Sequence, residues 1–119
     1  MISEVVIMDI QELVTNTLLN LGIEVLYGWY DKDLGKAHIT FLEIDTEETD
    51  YVDDVATSIE HLIQFDIWTK DGEEAQELKK LVKEKLKSVG FRFQNGGDNF
   101  EMDTKLWHIA QRFIIIENI

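Results

Sequence analysis

Apolar residues recur at helical spacing in the first 22 residues of the chain. In SEVVIMDIQELVTNTLLNLG (residues 3–22) they lie on one helical face: Val6, Ile10, Leu13, Val14, Thr17, Leu18 and Leu21. Ser3 is a candidate N-cap and Gly22 follows the last periodic position, so the pattern predicts one helix of about 18 residues. The β-branched run at residues 5–7 leaves a short strand over residues 1–8 as the alternative.

Three strand patterns follow this helix. IEVLYGWY (23–30) and AHITFLEI (37–44) flank the polar stretch DKDLGK, which predicts an antiparallel hairpin. EHLIQFDIW (60–68) alternates apolar and polar positions, as a central strand with one wet face does. Trp68 falls on the polar face of that strand, so we expect its side chain to be only half covered in the monomer.

The clearest helical pattern is KDGEEAQELKKLVKEKLKSVG (residues 70–90). Its apolar stripe comprises Ala75, Leu78, Leu81, Val82, Leu86 and Val89. Asp71 followed by Glu74 is a capping-box arrangement, and Gly90 marks the end. Acids near the start and lysines near the end complement the helix dipole.

The segment QNGGDNFEMDT (94–104) lies between a short strand, FRF (91–93), and a final interior strand, KLWHIAQRFIII (105–116). Counted from Asp98, the segment lacks the glycine of a calcium loop and is flanked by strands rather than helices, and a phosphate cradle would open a helix. Asn95, Gly96 and Gly97 accept positive φ readily, so we predict a turn, with Phe100 either exposed at its tip or tucked beneath it.

Together these patterns predict a single domain over residues 1–119 with an α+β fold. The expected architecture is a mostly antiparallel four- to five-stranded sheet with two helices packed on one face. A chain of this length buries one hydrophobic core without disulfides or a structural metal.

Acidic residues concentrate after the second predicted strand. The cluster comprises Glu43, Asp45, Glu47, Glu48, Asp50, Asp53 and Asp54. The segment 45–57 is predicted to be an exposed excursion, either a long loop or a protruding hairpin arm. Tyr51 and Val52 lie among these acids, as apolar groups do in a segment that docks on a partner.

The overall charge narrows the possible partners. Eleven basic and 24 acidic residues give a formal charge of −13, which disfavours sequence-specific nucleic-acid binding. The absence of cysteine excludes disulfides, thiolate metal sites and a cysteine nucleophile, and it favours the cytoplasm. A signal peptide and an apolar run of about 20 residues are both missing, so we expect no membrane association.

Candidate chemistry is sparse. His38, His61 and His108 fall on three predicted strands without the spacing of a zinc site, and we interpret them as core or sheet-surface histidines. The chain shows neither a serine elbow nor a Ser/His/Asp arrangement. We therefore predict no catalytic residue, metal or cofactor, and an enzyme is the least favoured class.

Most of the chain resembles the small tail-terminator or tail-completion proteins of long-tailed bacteriophages and prophages. The resemblance lies in HLIQFDIWTKDGEEAQELKKLVKEKL, GFRF and FEMDTKLWHIAQRF, with LGIEVLYGWYDKD and HITFLEI fitting the amino-terminal part. The recurring positions are Gln64, Asp66 and Trp68, then Gly90 and Phe91, then Asp103 and Thr104, and finally Arg112 and Phe113.

This resemblance implies a structural role in head-tail joining. Such proteins form a hexameric ring on the tail tube, stop its growth and meet the head connector. The expected locations are the host bacterial cytoplasm during assembly and the virion tail. Tyr51, Val52, Trp68 and Phe100 are the predicted interface residues, and an acidic lumen would repel passing DNA.

The alternative function is an acidic DNA mimic or protein-binding inhibitor. That function requires carboxylates spaced along one surface at roughly phosphate intervals, about 3.4 Å per strand. Acids gathered on one arm and one inner face favour the ring instead. A calcium-binding module is a third hypothesis, which a calcium-dependent rise in melting temperature would test.

Overall fold

Two helices and five strands make up the computed structural model, which describes residues 9–28 and 36–119. In chain order the elements are α1 (Ile10–Leu18), a 3-10 turn (Leu19–Leu21), β1 (Glu24–Tyr27), β2 (His38–Val52), β3 (Val55–Thr69), α2 (Gly72–Ser88), β4 (Arg92–Glu101) and β5 (Leu106–Asn118). The strands form one sheet in the order β1-β2-β3-β5-β4, and all pairs except β1 with β2 are antiparallel. The predicted α+β fold is confirmed. Neither helix in these ranges is long and apolar enough to cross a membrane.

The hydrophobic core lies between one sheet face and the two helices. Phe65 is at its centre, with ring centroids 5.6 Å from Phe113, 5.8 Å from Phe41 and 6.0 Å from Phe91. The helices contribute buried apolar residues at helical spacing: Ile10, Val14, Leu18, Ala75, Leu78, Val82 and Leu86. Burial of each large side chain contributes about 1.5 to 3 kcal/mol to folding. The second face of the sheet carries neither helix.

Helix α1 is shorter than the predicted helix. It begins at Ile10, because the Asp9 carboxylate accepts a hydrogen bond from the Glu12 amide at 3.0 Å and so caps the first turn. Gly22, with φ of 74°, ends the 3-10 turn that extends α1, as predicted. The candidate cap Ser3 and the alternative strand over residues 1–8 lie outside the described residues.

Strands β1 and β2 are parallel, so the predicted antiparallel hairpin is wrong. Glu24 lies opposite His38, and Tyr27 lies opposite Phe41. Strand β1 is only about 10 Å long, and the ten residues 28–37 suffice to return the chain to the end where β1 starts. Gly28, with φ of 90°, begins this connection and donates its amide to the Phe41 carbonyl at 2.8 Å.

The predicted turn over residues 94–104 is mostly strand. Strand β4 continues through it, and the chain reverses only at residues 102–105, where Lys105 has φ of 59°. Gly96 and Gly97 are not among the positive-φ glycines, so their predicted role is also wrong. A Cβ atom at Gly96 would lie 2.6 Å from the Ala110 carbonyl oxygen. Close approach of β5, rather than turn geometry, requires glycine at this position.

Helix α2 matches its predicted start and end within two residues. Asp71 is the N-cap and accepts from the Glu73 amide at 2.9 Å and the Glu74 amide at 3.4 Å. The capping box is closed through Thr69, whose hydroxyl accepts from the Asp71 amide and donates to the Glu74 carboxylate. Four residues of the predicted stripe are buried, whereas Val89 is exposed at the helix end.

Candidate functional site

A hairpin arm extends from the sheet, as one of the two interpretations of the acidic segment predicted. We define the arm as residues 43–60, where β2 and β3 continue together beyond β1. Strand β5 accompanies β3 as far as Ser58, which pairs with Asn118, so the tip is two-stranded. Asp53 and Asp54 form the connecting turn with φ of 51° and 64°, the type I′ geometry that suits a two-residue hairpin.

The arm combines one sign of charge with an apolar tip. Its eight carboxylates are Glu43, Asp45, Glu47, Glu48, Asp50, Asp53, Asp54 and Glu60, and the same span holds no lysine or arginine. Tyr51, Val52 and Val55 at the tip are 61%, 60% and 65% exposed. Val55 also lies among the acids in the sequence but was not one of the predicted interface residues, although a two-residue turn at the Asp pair would have placed it opposite Val52.

His61 braces the base of the arm on the helix-covered face. Its Nδ1 lies 2.7 Å from Glu43 on β2, and its Nε2 lies 3.0 Å from Glu117 on β5. Burial lowers the pKa of His61, but the hydrogen bonds that the Glu43 and Glu117 carboxylates accept, together with their negative charges, raise the pKa overall. The His61 ring therefore links three adjacent strands where the arm leaves the body of the sheet.

His108 forms a second brace on the opposite face, at the end of the sheet away from the arm. Its Nε2 lies 2.7 Å from Asp66 on β3, and its Nδ1 lies 3.4 Å from Glu101 on β4. The hydrogen bond to Asp66 raises the pKa of His108 against the opposing effect of burial, and Glu101 raises it further. The three histidines are core or sheet-surface residues, as predicted.

Trp68 is buried, so the expectation that it is half covered in the monomer is wrong. It is 4% exposed, stacks on the His108 ring at 3.9 Å and donates its indole N–H to the Thr40 hydroxyl at 3.1 Å. The alternation pattern placed Trp68 correctly on the face opposite Phe65. It could not show that His38 and His108, on neighbouring strands, lie against both of its sides.

The four predicted interface residues do not form one surface. Tyr51 and Val52 lie together at the arm tip, whereas Trp68 and Phe100 lie near the far end of the sheet. Phe100 is partly buried and packs edge-on against Trp107, with centroids 5.1 Å apart, rather than at a turn tip. Only the tip pair is well exposed.

The histidine braces are poorly arranged for metal binding. In each brace the two carboxylates contact opposite nitrogens of the ring, so the three groups diverge instead of converging on one ion. Among residues 9–28 and 36–119, no group of three or more histidine, aspartate or glutamate side chains has the geometry of a metal site. Instead, the two braces link neighbouring strands and so stiffen the sheet that carries the acidic arm.

Comparison with protein-family models and with curated protein sequences gives no match. A match does appear among solved structures, to a chain from a structure described as the virion of a native gene transfer agent (GTA) particle. The TM-score is 0.60 at 13% identity, over 88% of this chain and 91% of that chain. At this identity the match shows that the two chains share a fold over nearly their whole lengths.

Proposed function

We propose that the protein is a non-enzymatic structural subunit of a phage-like virion, and that it forms a ring that caps the tail tube and joins it to the head connector. The observation that carries this proposal is the shared fold with a chain of a gene transfer agent virion over 88% of the sequence. The resemblance of residues 61–113 to tail-terminator proteins supports the same role independently of the structural comparison.

The arm supports this role because it offers a surface suited to a neighbouring subunit. Aromatic and aliphatic groups at the centre of a contact, rimmed by charge, are typical of protein interfaces. Tyr51, Val52 and Val55 supply the apolar centre, and the surrounding carboxylates supply the rim. In a ring each subunit holds the next one through two different surfaces, and the arm offers one of them.

The distribution of charge favours the ring over the DNA mimic. The arm carries eight of the 24 carboxylates and no cation, so it accounts for −8 of the net −13 and leaves −5 for the rest of the chain. A mimic requires acids spread along an extended surface at phosphate-like intervals. Here most of the excess is gathered in one projection, whereas basic residues accompany the acids elsewhere.

The test is association with the tail tube. Purified protein would be analysed by size-exclusion chromatography with light scattering, alone and with tail tubes of the phage or particle encoded beside it. We expect binding to tube ends, and a ring of about six subunits would have a mass near 83 kDa, from 6 × 13.9 kDa. A protein that stays monomeric and leaves both tubes and connectors unbound would contradict the proposal.

A pair of matched variants locates the contact. Tyr51→Ser combined with Val52→Thr should abolish tube binding without unfolding the protein, because both side chains are exposed. Leu19→Ser combined with Met102→Ser removes two equally exposed apolar groups far from the arm and should leave binding intact. Equal effects of the two variants would exclude the arm as the specific contact.

A further inference from the structure

The chain separates its charges between two surfaces. Opposite in sign to the arm is the second half of α2, where five of the chain's 11 basic residues lie between Lys79 and Lys87, followed by Arg92. We infer, on the basis of the proposed ring, that the arm tip of one copy docks on this lysine face of α2 in the next copy. The occupant of the lysine face is thus a second copy of this chain.

The lysine face is the chemical complement of the arm tip. Lys80 and Lys87 are exposed on one side of α2, and Glu84 lies between them on the same side. Residues 79–88 have a net charge of +4, from five lysines and one glutamate, whereas the arm has a charge of −8. Complementary potentials of this kind steer partners together and fix their register.

Part of the lysine face is already held in position. Lys79 lies 3.1 Å from Asp98 on β4, which also accepts a hydrogen bond from Gln76 at 3.0 Å. Lys83 lies 4.2 Å from the centroid of the Phe93 ring. These contacts fix α2 against β4 and leave Lys80 and Lys87 as the cations most available to a partner.

Within one chain the two surfaces are too far apart to meet. Arg92 on β4 pairs with Ile114 on β5, and Ile114 pairs with Leu62 on β3. The tip residue Val55 lies on β3 seven positions from Leu62, towards the end of the arm. Seven strand residues span about 23 Å, and the arm points away from α2 over this distance. The molecule is correspondingly elongated, at 54 × 25 × 25 Å. Docking is therefore intermolecular, and a chain of such contacts closes when the rotation between copies fits.

Reciprocal charge reversal tests the pairing. Glu47→Lys with Glu48→Lys makes these two arm positions basic and changes the charge of the arm from −8 to −4, whereas Lys80→Glu with Lys87→Glu makes these two helix positions acidic and lowers residues 79–88 from +4 to zero. Each double variant should associate more than about tenfold more weakly, because like charges then meet. The quadruple variant should recover association, because the exchanged positions again carry opposite charges. An equal mixture of the two double variants should also recover it, because the two variants can alternate in a ring with an even number of subunits. Glu12→Lys with Asp103→Lys is the control for the arm variant, with the same charge change of +4.

Disulfide trapping adds a measure of proximity, since the chain has no cysteine of its own. Val52→Cys mixed with Lys87→Cys, under mild oxidation with tail tubes, should give a linked dimer on a non-reducing gel. Val52→Cys mixed with Met102→Cys should give none, because Met102 lies in the turn at the end of β4. Equal yields from the two mixtures would overturn the inference.

The outcomes separate this pairing from the ring itself. The arm-to-α2 contact is supported if both double variants associate more weakly and the quadruple variant regains association. Wild-type protein that binds tubes, with reversed variants that bind equally well, overturns the contact and leaves the proposed function standing. Wild-type protein that neither self-associates nor binds tubes overturns both.

Discussion

Substitution of Gly96 by alanine tests the close approach of β4 to β5. A Cβ atom at this position would lie 2.6 Å from the Ala110 carbonyl oxygen and 2.9 Å from Nε2 of Gln111. The first neighbour is backbone, and the second belongs to a side chain that is only 2% exposed, so neither moves easily. We therefore expect Gly96→Ala to force β4 outward or to strain the β5 ladder.

The cost follows from two opposing terms. Overpacking of this kind costs about 1 to 3 kcal/mol. Replacing glycine by alanine also restricts the unfolded chain, which returns about 0.4 to 1 kcal/mol. The net loss should be about 1.5 kcal/mol, which for a chain of this size lowers Tm by roughly 5 °C. Urea titration gives the free energy of unfolding, and circular dichroism gives the Tm.

Gly97→Ala is the matched control. A Cβ atom there meets nothing within 4 Å, and the residue has no positive φ, so its stability should be unchanged or slightly higher. If both glycines formed a turn with positive φ, both substitutions would be destabilising. Equal losses would therefore refute the close-approach explanation, as would a Gly96→Ala variant as stable as wild type.

Three further substitutions test the core, the helix cap and the second brace. Phe65→Ala should lower the free energy of unfolding in urea by about 3 to 5 kcal/mol, since this fully buried ring contacts three others; a loss below 1 kcal/mol would contradict its central place. Asp71→Ala should cost about 1 kcal/mol by the same titration, because it removes the cap of α2, whereas the exposed Asp103→Ala should not. The pKa of His108 is raised in the folded state, so its contribution is complete at acid pH and is lost as pH rises through that pKa. The Tm gap between wild type and His108→Asn should therefore be widest near pH 5.5 and narrower by about pH 8.5, and a gap independent of pH would exclude this linkage.

Local patterns identified the elements whose residues interact mainly with sequence neighbours. Helix α2 has its cap, its stripe and its terminating glycine within one stretch, so its bounds followed from spacing alone. The direction of β1 relative to β2 depends on how a ten-residue connection returns, which hydrophobic pattern does not encode. The predicted turn role of Gly96 was wrong for a related reason. Glycine occurs both in turns and at close contacts between strands, and only the position of β5 distinguishes the two.

The features of the candidate site also divide into those that the sequence predicts and those that depend on contacts between distant residues. Carboxylate density and the embedded Tyr51 marked the arm in the sequence, since exposure follows from composition. Burial of Trp68 depends on His38 and His108, which lie 30 and 40 residues away along the chain. The sequence did not predict the histidine braces either, because the strand order alone brings His61 into contact with Glu43 and Glu117.

Self-association of a chain with a charge of −13 requires local attraction to exceed overall repulsion, and ionic strength separates the two. The Debye length is about 30 Å at 0.01 M salt, about 10 Å at 0.1 M and about 3 Å at 1 M. At the lowest salt, repulsion acts across the whole subunit; at 0.1 M it is largely screened, while the arm and α2 charges still interact at contact distance. We therefore expect association, measured by sedimentation velocity, to be strongest near 0.1 M salt and weaker at both extremes. Association that rises steadily to 1 M salt would mean that apolar contact alone holds the ring, and the lysine face would then have no role in it.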